Sequence, residues 1–139
     1  MNPLTVPGIP DSLELIKEYV LAVAAKADLT HAESYRLRLA IDEIATNIIL
    51  HGYAAAEKKG TIIIQGFIKI NKIIIQLQDF GTPFDPAQAF CTGQLRLSAK
   101  QPAMEGGLGI FLALSSVDHF YYERLKSGNR STFILYTRR

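Results

Sequence analysis

Apolar and polar positions follow two different periods along this chain, and the change of period divides it. In "PDSLELIKEYVLAVAAKADL", Leu13, Ile16, Val20 and Val23 form a stripe at helical spacing. Asp11 or Ser12 supplies a cap, with Glu14 in the first turn. Thr30 followed by Glu33 is a capping-box pattern. It opens a second helix that runs to about Leu50, with Leu37, Ile41, Ile44 and Ile48 as its core stripe and Gly52 in the place of a C′ residue. The period then shortens. "GTIIIQGFIKI" and "KIIIQLQDF" are rich in β-branched residues, and their join at Asn71 predicts an antiparallel hairpin with Ile70 or Ile73 in its turn. From Phe80 to Gly106 the pattern fades into a loop, and loops of that length inside a compact domain are usually functional or mobile. "IFLALSSV" then predicts a short helix, and "HFYYERL" with "RSTFILYT" a closing hairpin across "KSGN". "LTV", closed by Pro7, reads as a short edge strand at the start.

The order β-α-α-β-β-loop-α-β-β predicts an α+β fold. It is a two-layer sandwich in which helices cover one face of a mostly antiparallel, mixed sheet. At 139 residues the chain is read as one domain, residues 1–139, and needs no disulfide or structural metal to hold a core.

Composition narrows the class of function. With 48% apolar and 20% charged residues the chain is globular. Fifteen basic and 13 acidic residues leave a net charge of +2, too balanced for a dedicated nucleic-acid binder. Cys91 is the single cysteine and fits a reducing compartment. The first residues, "MNPLTVPGIPDS", lack the charged and apolar regions of a signal peptide. The most apolar stretch is interrupted by Gln65, Lys69, Asn71, Lys72 and Gln76, which argues against a membrane span. The expectation is a cytoplasmic protein with no membrane or nucleic-acid partner.

Three polar features exceed what packing requires. Glu43, Asn47 and His51 stand at i, i+4 and i+8 on one face of the second helix. They are either a solvated face or a carboxylate base beside an oxygen ligand for Mg²⁺, which prefers oxygen donors and bridges substrate phosphates. Asp79 ends a strand with Gly81 two residues on, which reads as a turn or as a hydrogen-bond acceptor for the amino group of an adenine. In "MEGGLGIFLALSSV", glycines precede a helix. They serve a tight turn or bring backbone N–H groups to a phosphate at a helix N-terminus.

"DEIATN", "DFGTP" and "GGLG", in that order, resemble the GHKL ATP-binding fold shared by gyrase, histidine kinases and MutL. "RLRLAIDEIATNIILHGY" resembles more narrowly the bacterial anti-sigma factor serine/threonine kinases, and the likeness runs from about Leu4 to Thr137. The resemblance implies ATP and Mg²⁺ as cofactors, with Asn47 as the magnesium ligand and Glu43 as the general base. It places Asp79 and Gly81 at the adenine, Gly106, Gly107, Leu108 and Gly109 at the phosphates, and the loop of about 80–106 as the ATP lid. Ser131 stands where relatives carry a threonine near the adenine, and Thr132 follows it, so either hydroxyl is a candidate. Pro83 occupies the second glycine position of the wider superfamily's pattern.

By the same resemblance the partners are a STAS-domain anti-sigma antagonist that receives the phosphate and a sigma factor that is sequestered, with the kinase a homodimer. The alternative is a catalytically silent, nucleotide-gated switch that binds a partner without chemistry.

Overall fold

The computed structural model describes residues 1–83, 110, 111 and 113–137. The elements in chain order are β1 (Leu4–Pro7), α1 (Ser12–Lys26), α2 (His31–Asn47), a π-helical segment (Ile48–Ala54), β2 (Thr61–Ile68), β3 (Lys72–Asp79), β4 (His119–Leu125) and β5 (Gly128–Tyr136). Residues 110, 111 and 113–116 are helical, as "IFLALSSV" predicts. The strands form one sheet in the order β1-β2-β3-β5-β4. Every pairing in it is antiparallel, so the mixed sheet expected from the sequence is corrected to a purely antiparallel one among the described residues. Two of the four pairings, β2–β3 and β4–β5, are hairpins, whose short connections require antiparallel strands.

Asp11 stands at the N-cap of α1 but makes no side-chain cap bond, whereas the start of α2 follows its local signal. Thr30 accepts a hydrogen bond from the Glu33 amide and Glu33 returns one to the Thr30 amide, completing the capping box. Ile16, Val20 and Val23 of α1 and Leu37, Ile41 and Ile44 of α2 are buried against the sheet, and Leu13 packs at the margin of the same core. The sheet face they cover is set by alternation. Ile62 and Ile64 of β2, Ile73, Ile75 and Leu77 of β3, and Phe133 and Leu135 of β5 all point into the core. Phe120 meets Phe133 edge to face with ring centroids 5.1 Å apart, so this part of "HFYYERL" is strand packing. Ile70 lies in the β2–β3 turn and is 95% exposed, whereas Ile73 is in β3 and buried.

The end of the second helix departs from expectation. Gly52 is not a C′ residue: the chain widens into π geometry at Ile48 and continues to Ala54, with the Ala55 amide donating to the Leu50 carbonyl five residues back. A tertiary contact forms at this segment. The Gly52 carbonyl accepts from the Thr82 amide at 2.9 Å, and a Cβ built on Gly81 would stand 2.6 Å from that same oxygen. The π-helical segment and the chain leaving β3 therefore meet backbone to backbone.

Tyr53 fixes this meeting from the other side. Its ring is buried in a slot between Gly8 and Gly60, where a Cβ on either glycine would strike it. Its hydroxyl donates to the Thr61 carbonyl at 2.6 Å and accepts from the Phe80 amide at 2.8 Å.

Candidate functional site: a polar cavity between the second helix and the central strand

The hydrophobic face of the sheet turns polar at one end. Along β3 the inward positions run Ile73, Ile75, Leu77 and then Asp79. Along β5 they run Leu135, Phe133, Ser131 and then Asn129. Antiparallel register sets Asp79 opposite Asn129 and Leu77 opposite Ser131. The last cross-strand inward pair, Asp79 and Asn129, is thus polar, and it lines the same cavity as Ile44 and Asn47 of α2. This cavity is small and open to solvent. It is lined by Ile44, Asn47, Ile48, Asp79, Thr82, Tyr122, Asn129 and Ser131.

Asp79 is only 3% exposed. Its Oδ1 accepts from the Gly81 amide at 2.9 Å and from Asn129 Nδ2 at 3.0 Å. Burial pushes its carboxyl above the ordinary aspartate range, and the two donors pull it back in part. Asn129 uses its second N–H on the Gly81 carbonyl at 3.1 Å, and its Oδ1 accepts from the Tyr122 hydroxyl. Gly81 thus closes a small ring: its N–H goes to Asp79 and its C=O to Asn129.

Across the cavity stands Asn47, 7% exposed, whose Nδ2 is buried without a hydrogen-bond partner. A buried polar atom left unmatched costs roughly 1–3 kcal/mol. Such an atom in the lining of a cavity is available to a bound ligand. Reversing the amide, a choice that hydrogen-bond networks decide, turns Oδ1 to the same point. An amide oxygen there suits a hard cation that keeps most of its other ligands as waters or substrate phosphates. No group of three or more His, Cys, Asp or Glu side chains among the described residues could hold a metal by itself.

Glu43, one turn before Asn47, is half-buried and is not a lining residue of the cavity. Burial, and then the neighbouring Asp42 carboxylate, raise its carboxyl above the usual glutamate value, which makes it a better proton acceptor than an exposed glutamate. His51, the third member of the row, lies in the π-helical segment, is exposed and does not line the cavity. Thr132 falls on the opposite face of β5 from Ser131 by simple alternation and lies outside the cavity. Gly106, Gly107, Leu108 and Gly109, and all but the first residues of the loop of about 80–106, lie outside the described residues.

Sequence reasoning missed Asn129, Tyr122 and Thr82. The sequence reading set Asn129 in the hairpin turn "KSGN", whereas β5 begins at Gly128 and Asn129 takes an inward position in its alternation. Which partner it finds depends on strand register, which the pattern does not give.

No helix of the described residues is long and apolar enough to cross a membrane. Comparison with known proteins agrees with the geometry. Residues 6–135 match the histidine kinase-like ATPase domain. The serine-protein kinase RsbW of Listeria innocua is 27% identical over 124 residues, covering 86% of this chain and 78% of the relative. The serine-protein kinase RsbW of Bacillus subtilis is 27% identical over 121 residues, covering 83% and 72%. An anti-sigma F factor of Thermoanaerobacter is 44% identical over 62 residues, covering 45% of this chain and 42% of that protein.

Proposed function

This chain belongs to the histidine kinase-like ATPase domain family, and we propose that it is an ATP- and Mg²⁺-dependent protein serine/threonine kinase acting as an anti-sigma regulatory factor. The observation that carries the reading is the buried, unpartnered Asn47 Nδ2 in the lining of the cavity that Asp79 also lines. Asn47 would hold Mg²⁺ through its amide oxygen, and Asp79 would accept a hydrogen bond from the adenine amino group, with Gly81 and Ser131 beside it. Backbone N–H groups from Gly106 to Gly109 would approach the phosphates. When bound, ATP supplies the transferable phosphoryl group and Mg²⁺ neutralises charge on its phosphates.

The chain's own part is positioning and proton removal. Glu43 would take the proton from a serine or threonine hydroxyl of the protein substrate, and its raised proton affinity supports that role. We assign the phosphoacceptor to a STAS-domain anti-sigma antagonist and the sequestered partner to a sigma factor. The chain would work in the cytoplasm as a single domain that forms a homodimer, without contacting nucleic acid. A second reading, a nucleotide-gated switch without chemistry, is favoured by one observation: Glu43 does not line the described cavity.

The test is transfer of label from γ-labelled ATP to purified STAS-domain antagonists, beside calorimetric titration with ATP. Glu43→Ala is expected to bind ATP and transfer nothing. Full transfer by that variant removes Glu43 from the base role. Binding without transfer by the unaltered protein supports the switch. Absence of ATP binding by the folded protein refutes both readings.

A further inference from the structure

Asn129 makes three hydrogen bonds, all buried or partly buried, and no other side chain of the cavity is held at so many points among the bonds described above. Its two N–H donors are committed to two acceptors, the Asp79 carboxylate and the Gly81 carbonyl. Its oxygen receives the Tyr122 hydroxyl. The sense of the amide is therefore fixed: reversed, it would set an oxygen against a carboxylate and a carbonyl. The anchoring tyrosine stands on β4, the next strand out, so the chain Tyr122–Asn129–Asp79 crosses three adjacent strands, β4, β5 and β3.

We propose that Asn129 is the positioning residue through which this cavity selects 6-amino over 6-oxo purine nucleotides. The inference rests on the nucleotide-binding reading above and adds what sets its base preference. An ionised carboxylate is acceptor-only, so an Asp79 held in one rotamer offers a purine a fixed acceptor. The amino group at position 6 of adenine donates to it. The oxygen at position 6 of hypoxanthine or guanine is itself an acceptor and is repelled. Sites built around such a bond reject a substrate that cannot make it far more strongly than apolar pockets reject a shape. The rejection requires the carboxylate to stay where it is. Asn129 and the Gly81 amide hold the same oxygen, Oδ1, from two sides. With Asn129 removed, the carboxyl keeps one bond and gains freedom to turn, and a 6-oxo base no longer meets an immovable acceptor.

The experiment compares calorimetric affinities for ADP and inosine diphosphate, with Mg²⁺, in the unaltered protein, Asn129→Leu and Tyr122→Phe, each checked for folding by thermal melt. The unaltered protein is expected to prefer ADP by about 100-fold or more. Asn129→Leu, similar in shape but without donors, is expected to lower that ratio at least about tenfold. Tyr122→Phe keeps its ring and loses only the hydroxyl that pins Asn129, and is expected to lower the ratio by a smaller factor, about threefold.

A merely structural role would weaken both nucleotides together and leave the ratio alone, and an unchanged ratio in the folded variants overturns the proposal. Should Asn129→Leu not fold, Tyr122→Phe decides by the same ratio. Equal binding of the two nucleotides by the unaltered protein overturns the proposal and leaves nucleotide binding standing. Binding of neither overturns the nucleotide-site reading as well.

Discussion

Gly81 and Gly52 lie in backbone contact: a Cβ on Gly81 would come within 2.6 Å of the Gly52 oxygen and 2.8 Å of its carbonyl carbon. The contact is one-sided. A Cβ on Gly52 would find its nearest neighbours at 3.6 and 3.8 Å, ordinary van der Waals distances. Gly81→Ala must push two main chains apart. It is expected to cost roughly 1–3 kcal/mol and to weaken ADP binding, because Gly81 also bonds both Asp79 and Asn129. Gly52→Ala, in a helical segment with room for a methyl, is expected to leave stability unchanged or raise it slightly. Urea denaturation of the two variants side by side checks the asymmetry, and equal losses would contradict it.

Asn47→Ala separates stability from function. It removes a buried donor with no partner, so the relief of that penalty offsets the small void left behind. The expected result is a melting temperature close to that of the unaltered protein, with Mg²⁺-dependent nucleotide binding lost. Calorimetric titration with and without Mg²⁺ reads the second half. A large fall in melting temperature would show that Asn47 is held by the fold rather than kept for a ligand.

The burial of Asp79 sets the expected sign of a pH dependence of stability. Its carboxyl binds its proton more tightly in the folded state than the ordinary value near 3.8, chiefly through burial. Between the unfolded and folded values the native state holds more protons, so this group's contribution to stability falls as pH rises through that window. Glu43 adds in the same direction from its ordinary value of 4.5. Asp79→Asn lacks the ionisation. Relative to it, the unaltered protein is expected to lose stability as pH rises from about 4 toward neutrality, measured by thermal melts across that range. A difference that stays flat with pH would count against burial as the cause.

Tyr53→Phe keeps the ring in its slot between Gly8 and Gly60 and deletes the bonds to Thr61 and Phe80. Leaving the Phe80 amide without its partner is expected to cost roughly 1–3 kcal/mol in urea denaturation, with an unchanged dependence on denaturant concentration. Phe80 follows Asp79 directly, so weaker ADP binding should accompany the loss. Unaltered stability would mean that water replaces the hydroxyl at no cost.

The parts of this fold that were legible in the sequence are those set by local rules. The Thr30–Glu33 box is realised bond for bond, and Ile16, Val20 and Val23 lie buried as their spacing requires. The candidate site was legible where a residue's position alone brings it to the cavity: Asn47 on the inner side of α2, Asp79 at the end of β3, Ser131 on the inner face of β5. What was not legible depends on contacts between distant segments. The π-helical segment packs against Gly81, which stands 29 residues beyond Gly52 in the chain. The role of Asn129 answers to a register that places it opposite Asp79. Strand phase separates the two hydroxyl candidates: Ser131 lies on the inner face of β5 and Thr132 on the other.

β3 is the third of five strands and is paired along its length on both sides. In the language of hydrogen exchange, its amides should be among the slowest in the molecule, released only by global unfolding, while edge strands β1 and β4 open at lower free energy. Asp79 closes that central strand, and Asn129 pairs with it from β5. The floor of the cavity is thereby anchored in the most protected part of the sheet, and Tyr122, on edge strand β4, is the member of the network that local opening releases first.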